Sequence, residues 1–238
     1  MSDTGETSER LAALEADNAR LRRLLDEAGL HDGLRHAFRD LVSVLRAIVR
    51  RSAETAEDVE GYAAHLLGRI DALARARTRT DTLGEADLHA LILDELMIYV
   101  VHEGERATIA GPSVRLRPKA AQLLALAVHE LATNAIEHGA LSAPDGRVDV
   151  RWTLEAGSLE PILMMAWTET GGMNTTARGR DGFGTAMLTE MLTYDLGAET
   201  VLTIEPHGVR CTIRLPLTSR VGRLGDEVGV ADTADGAF

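Results

Sequence analysis

The 238-residue chain has a single cysteine, Cys211, so no disulfide can close within it, and a reducing cytoplasm is favoured. Basic residues are also scarce. Lys and Arg number 25 against 37 Asp and Glu, a net charge of −12, which argues against nucleic acid or an anionic membrane as partner. No apolar run approaches the roughly 20 residues of a membrane-spanning helix. Met1 to Ser8 is polar and acidic, unlike a signal peptide. A zinc-protease centre is missing too: His-Glu-x-x-His needs a histidine at position 133, which is Thr133. The expectation is a cytoplasmic chain of one or two domains, long enough to bury a sizeable core.

What is present is more specific. The run His129-Glu130-Leu131-Ala132-Thr133-Asn134-Ala135 continues a helix opened by Pro118, with Leu124, Ala127, Leu131 and Ala135 at helical spacing. Glu130 and Asn134 are i,i+4 neighbours, and a carboxylate and an amide on one face can hold Mg²⁺ beside substrate phosphates. Solvated polar positions would have the same spacing, so the helix alone is ambiguous. His129 lies about 100° around from Glu130, and a packing role suits it as well as ligation.

The apolar run Pro161–Trp167 reads as a buried strand ending in Glu169, Gly171 and Gly172, where a side chain can reach a base edge and the backbone can turn. A charged, glycine-bounded loop follows from Gly179 to Gly184. A helix then starts near Phe183, where backbone amides attract phosphate.

The rest of the chain falls into segments. Residues 1–30 are expected to form a coiled-coil helix: Leu11, Leu14, Asn18, Leu21 and Leu25 follow a 3,4 spacing, with Asn18 at an a position that favours a parallel dimer. A helix packed on its own domain would carry a similar stripe. Residues 31–82 read as a helical hairpin, with stripes Leu34, Phe38, Leu41, Leu45, Ile48 and then Val59, Tyr62, Leu66, Ile70, Leu73. Dimerisation into a four-helix bundle would bury both. Residues 83–218 alternate helix and strand patterns, as expected of an α+β sandwich. Residues 219–238, rich in Gly, Asp and Ala, are expected to be disordered. On the first hairpin helix His36 lies opposite the apolar stripe, with Asp40 one turn on. An exposed imidazole beside a carboxylate can act as a nucleophile.

In combination, His129, Asn134, Trp167, Glu169 and Gly182-Phe183-Gly184 resemble the HWE family of sensor histidine kinases, a branch of the GHKL ATPases. The resemblance runs from about Leu34 to Leu217 and implies ATP and Mg²⁺ as ligands. It makes Asn134 the metal ligand, and Glu130 the group that polarises or orients the nucleophile or a metal-bound water. Glu169 would recognise adenine, Gly171 and Gly172 would shape the pocket, and Arg180, Gly182, Gly184 and Thr185 would line the lid and phosphates. Glu137-His138 stands where the family has Lys-Tyr, which puts His138 at the ATP site and removes a cation near the phosphates. His36-Ala37-Phe38-Arg39-Asp40 aligns with the phosphoacceptor pattern His-Arg-x-Lys-Asn. His36 is thus the implied acceptor, ahead of His31 and His65.

The expected protein is a homodimeric, ATP-dependent histidine kinase that passes its phosphoryl group to an aspartate on a response regulator receiver domain. A histidine phosphotransfer protein with a degenerate, non-ATP-binding C-terminal domain is the first alternative, and Asn134 with the Gly-x-Gly argues against it. A GHKL-type switch kinase acting on serine is the second, and an exposed His36 argues against that.

Overall fold

The computed structural model describes Arg20 and residues 30–55, 59–81, 84–99, 105–171, 190–205 and 208–225. Apart from Arg20 and Leu30, the expected coiled-coil segment lies outside them. The chain divides into two compact units, 1–50 and 51–238. Helix α1 (Leu30–Thr55) begins in the first unit and runs across the boundary, and its buried apolar residues there are Val44 and Ile48. Phe38, expected on the apolar stripe, is exposed instead.

The second unit takes in the last turn of α1 and helix α2 (Val59–Thr78), the expected second helix of the hairpin, which packs against the central helix of the sandwich. Its predicted apolar stripe is corrected at Val59 and Ile70, both exposed, while Leu73 of that stripe is buried as expected. Val59 is 84% exposed, and the buried side is Arg69, Ala72, Leu73 and Ala76. Small residues explain the rotation, because they let two helix backbones approach closely. A Cβ added at Gly68 would stand 2.9 Å from His129 Nε2.

Strand β1 (Ala86–Asp87) leads into helix α3 (Leu88–Met97), whose first turn is capped by Asp87 accepting from the Ala90 amide at 3.0 Å. Strands β2 (Ala107–Ala110) and β3 (Val114–Leu116) precede helix α4 (Pro118–Glu137), which carries proline at its first position as the sequence predicts. After a 3-10 turn at Ala140–Ser142 come β4 (Arg147–Glu155) and β5 (Ile162–Thr170). Helix α5 (Leu192–Leu196), β6 (Glu199–Glu205), β7 (Gly208–Pro216) and β8 (Gly222–Leu224) follow.

The main sheet has the order β2-β4-β5-β7-β6, with β2 and β4 parallel and the other pairs antiparallel. Alternate residues face the core: Val148, Val150 and Trp152 on β4; Leu163, Met165 and Trp167 on β5; Val209, Cys211, Ile213 and Leu215 on β7. That period of two is the mark of a sheet covered on one face. Helix α4 is buried along most of its circumference and lies beside α2 and α3. No helix among the described residues is long and apolar enough to cross a membrane.

A small antiparallel sheet, β1-β3-β8, corrects the expectation of disorder from residue 219. Residues 219–225 form a turn and a strand, while 226–238 lie outside the described residues. Composition alone missed two anchors. Gly222 sits so close to Arg115 that a Cβ would stand 2.3 Å from its carbonyl oxygen, and Arg223 Nε donates to the buried Glu85 at 2.9 Å. Arg117 approaches the same carboxylate at 3.2 Å.

Burial pushes the Cys211 thiol up to about 12. Only about one thiol in 10⁴ would then ionise at pH 8, and the thiolate is the reactive form. Native protein should therefore resist a thiol-specific chromogenic reagent at pH 8, and urea-unfolded protein should react with one equivalent. Stoichiometric reaction of the native protein would contradict this burial.

Candidate active site

Glu169 sits where the alternation of β5 would place a further apolar residue after Leu163, Met165 and Trp167. Residues two apart on a strand share a face, so the Trp167 indole runs alongside the acid. Trp167 Nε1 donates to Glu169 Oε1 at 3.2 Å, and the Ala140 amide donates to Oε2 at 2.9 Å. The carboxylate thereby joins β5 to the 3-10 turn that follows α4. Gly139 makes room for it, since a Cβ there would lie 2.1 Å from Glu169 Oε2. Gly171 turns the chain after β5 at φ +82°, close above the Asp145 carbonyl. Arg106 steadies the adjoining loop by donating to the carbonyls of Leu141, Ala143 and Gly146.

On α4, Glu130 is 6% exposed and forms a two-pronged ion pair with Arg69 of α2. Arg69 Nε meets Oε1 at 2.7 Å and Nη2 meets Oε2 at 3.1 Å. The third guanidinium nitrogen, Nη1, donates to Ser52 Oγ at 2.7 Å. A parallel pair lies beside it: Arg75 of α2 holds the buried Glu95 of α3 through contacts of 3.1 and 2.8 Å. His129 fills the space between. Its Nδ1 lies 3.4 Å from Glu95 Oε2 without hydrogen-bond geometry, and its ring is 6.3 Å from that of Tyr99. Tyr99 shares a 2.8 Å hydrogen bond with Thr133 Oγ1, and burial raises its phenol above the usual value. His129 is therefore a packed interface residue.

As folded, Glu130 does not fit a divalent cation: both its oxygens face a guanidinium, and a positive charge stands where the metal would approach. Among the described residues no group of three or more His, Cys, Asp or Glu could hold a metal ion. Asn134 lies one turn on and is half-buried. Glu137 and His138 are both exposed at the end of the helix, 3.7 Å apart.

The structure thus brings Glu130, Asn134, Glu169 and Gly171 onto α4 and the end of β5. His36 and Asp40 lie on α1. Gly172, Arg180, Gly182, Gly184 and Thr185 lie outside the described residues. Sequence reading missed Arg69, Arg75, Glu95 and Tyr99. A signal existed in Glu95, an acid set among Leu91, Ile92 and Leu96, since buried charges are nearly always paired.

Two family models match along the chain: HWE histidine kinase over residues 33–113, and histidine kinase-like ATPase domain over residues 105–189. The chain belongs to the HWE histidine kinases. It is 33% identical over 192 residues to blue-light-activated histidine kinase 1 of Erythrobacter litoralis, covering 77% of this chain and 52% of that protein. It is 30% identical over 209 residues to a blue-light-activated histidine kinase of Rhizobium johnstonii, covering 87% of this chain and 56% of that one. The chain thus spans about half the length of these relatives. The solved histidine kinase domain of an Erythrobacter litoralis blue-light-activated kinase has the same fold, with a TM-score of 0.54 at 19% identity over 76% of this chain and 85% of that one.

The His, Trp and Glu of the HWE name are His129, Trp167 and Glu169, and here the tryptophan buttresses the acid. Replacing Trp167 by Phe keeps most of the ring volume but removes its donor to Glu169. A hydrogen bond to a charged group contributes about 1.5–3 kcal/mol. Urea unfolding of Trp167→Phe should show a loss of that size, and wild-type stability would refute the buttress.

Proposed function

We propose that this HWE-family chain is an ATP-dependent protein-histidine kinase of two-component signalling, working in the cytoplasm as a homodimer. The observation that supports it most is the Glu169–Ala140 link, which ties the adenine-side acid to the turn directly after the helix bearing Glu130 and Asn134. One rigid element pair thus carries both the base-recognising and the phosphate-facing positions.

In this reading Glu169 accepts from the adenine amine, and Gly171 with Gly172 lets the base approach the backbone. Arg180, Gly182, Gly184 and Thr185 enclose the phosphates, with His138 at the rim and the Asn134 amide facing them from α4. A nitrogen of the His36 imidazole attacks the γ-phosphorus. The P–N bond forms as the P–O bond to ADP breaks, and the imidazole gives up its proton. Asp40, four residues on along α1, orients the ring, and Glu130 acts on the nucleophile's side. Catalysis is mainly positioning and electrostatics. The phosphoryl group then moves from His36 to an aspartate of a receiver domain, restoring the imidazole.

Incubation with γ-labelled ATP and Mg²⁺ should label the protein through an acid-labile, alkali-stable bond. His36→Gln should abolish the label, while His31→Gln and His65→Gln should keep it. Persistent label in the His36 variant would move the acceptor elsewhere. Absence of label in the wild type would favour a phosphotransfer protein with a degenerate ATP domain.

Asn134→Ala should fold normally yet lose detectable ATP binding by titration calorimetry in the presence of Mg²⁺. Affinity equal to wild type would remove Asn134 from the site.

A further inference from the structure

We propose that Arg69 is a positioning residue for the phosphoryl-transfer site: it holds Glu130 away from metal and nucleotide, and only exchange of this partner makes Glu130 available. The inference rests on the ATP-binding reading above and concerns what controls it. Three features carry it. The pair is two-pronged, so both carboxylate oxygens are engaged at 2.7 and 3.1 Å. Arg69 and Glu130 are 5% and 6% exposed, so water does not weaken the attraction by screening. Arg69 is itself anchored to Ser52 Oγ at 2.7 Å, which fixes the guanidinium plane.

A carboxylate in this state is a poor metal ligand. Its lone pairs already meet donors, and the guanidinium cancels the charge that would draw in a cation. The contact is also one between separate helices. Arg69 comes from α2, and the adjoining Arg75–Glu95 pair links α2 to α3. Displacement of α2 along α4 would therefore release Glu130, coupling the position of this helix to the readiness of the nucleotide site.

The test measures how much Mg²⁺ strengthens ATP binding, as the ratio of dissociation constants in EDTA and in Mg²⁺, by calorimetry on the full chain. The variants are Arg69→Lys, Arg69→Met and Arg69→Met/Glu130→Gln. Lysine makes single-point contacts and frees one oxygen at a time, whereas methionine frees both. The ratio should rise several-fold in Arg69→Met, by less in Arg69→Lys, and fall back to the wild-type value in the double variant. A merely structural Arg69 would alter stability but leave the ratio unchanged, and an unchanged ratio overturns the proposal. If Arg69→Met fails to fold, Arg69→Lys decides on the same criterion, since it retains the buried charge. Failure of wild type to bind ATP under either condition would overturn the ATP reading itself, a result distinct from binding with an unaltered ratio.

Discussion

Glu130 lies on the most deeply buried helix among the described residues, and the guanidinium of Arg69 is what makes its burial tolerable. A carboxylate left alone in such a place would cost several kcal/mol, and removing one partner of a buried pair typically costs about 3–5 kcal/mol. Against a well-packed apolar pair, however, an ion pair contributes little net stability. Its value here is register. Gly68 must lie against His129 while Arg69 lies against Glu130, so two successive residues of α2 meet two successive residues of α4. A helix rotated to bury Val59 and Ile70 would satisfy hydrophobicity better and strand both charges. The side of α2 that is buried is thus chosen by one ion pair and by the small residues that let it close.

That choice also marks what could be read from the sequence. The strand with its terminal acid, the proline-led helix and the alternation of helix and strand after residue 83 were legible because each has its own local period or cap. The same periodic reading failed on α2, where it counted Val59 and Ile70 as core and overlooked Arg69. Apolar spacing reports which residues would prefer burial, but not which partner lies opposite. The partner of Arg69 is 61 residues away in the chain, and nothing in the local spacing points to it. The tail was misjudged for a related reason: Arg223 is held by Glu85 across 138 residues, a contact invisible to composition.

The candidate site divides along the same line. Glu130, Asn134 and Glu169 were legible as residues, since their types and spacings suit a carboxylate–amide helix face and an acid at a strand end. Their environments were not. His129 had been open between ligand and packing roles, and the structure decides for packing, because Gly68, Tyr99 and Glu95 surround its ring.

Those environments separate the two buried acids of the site. Glu169 accepts from an indole N–H and a backbone amide, both neutral donors. In the proposed reading these donors fix the carboxylate that meets the adenine amine. Glu130 is held by a cation that cancels its charge and takes up both oxygens. A group of that kind can serve phosphate chemistry only after a change of partner. Two buried carboxylates of one domain thus sit in different settings, one beside neutral donors and one against a cation. Their hydrogen-bond donors, not their own chemistry, make the difference.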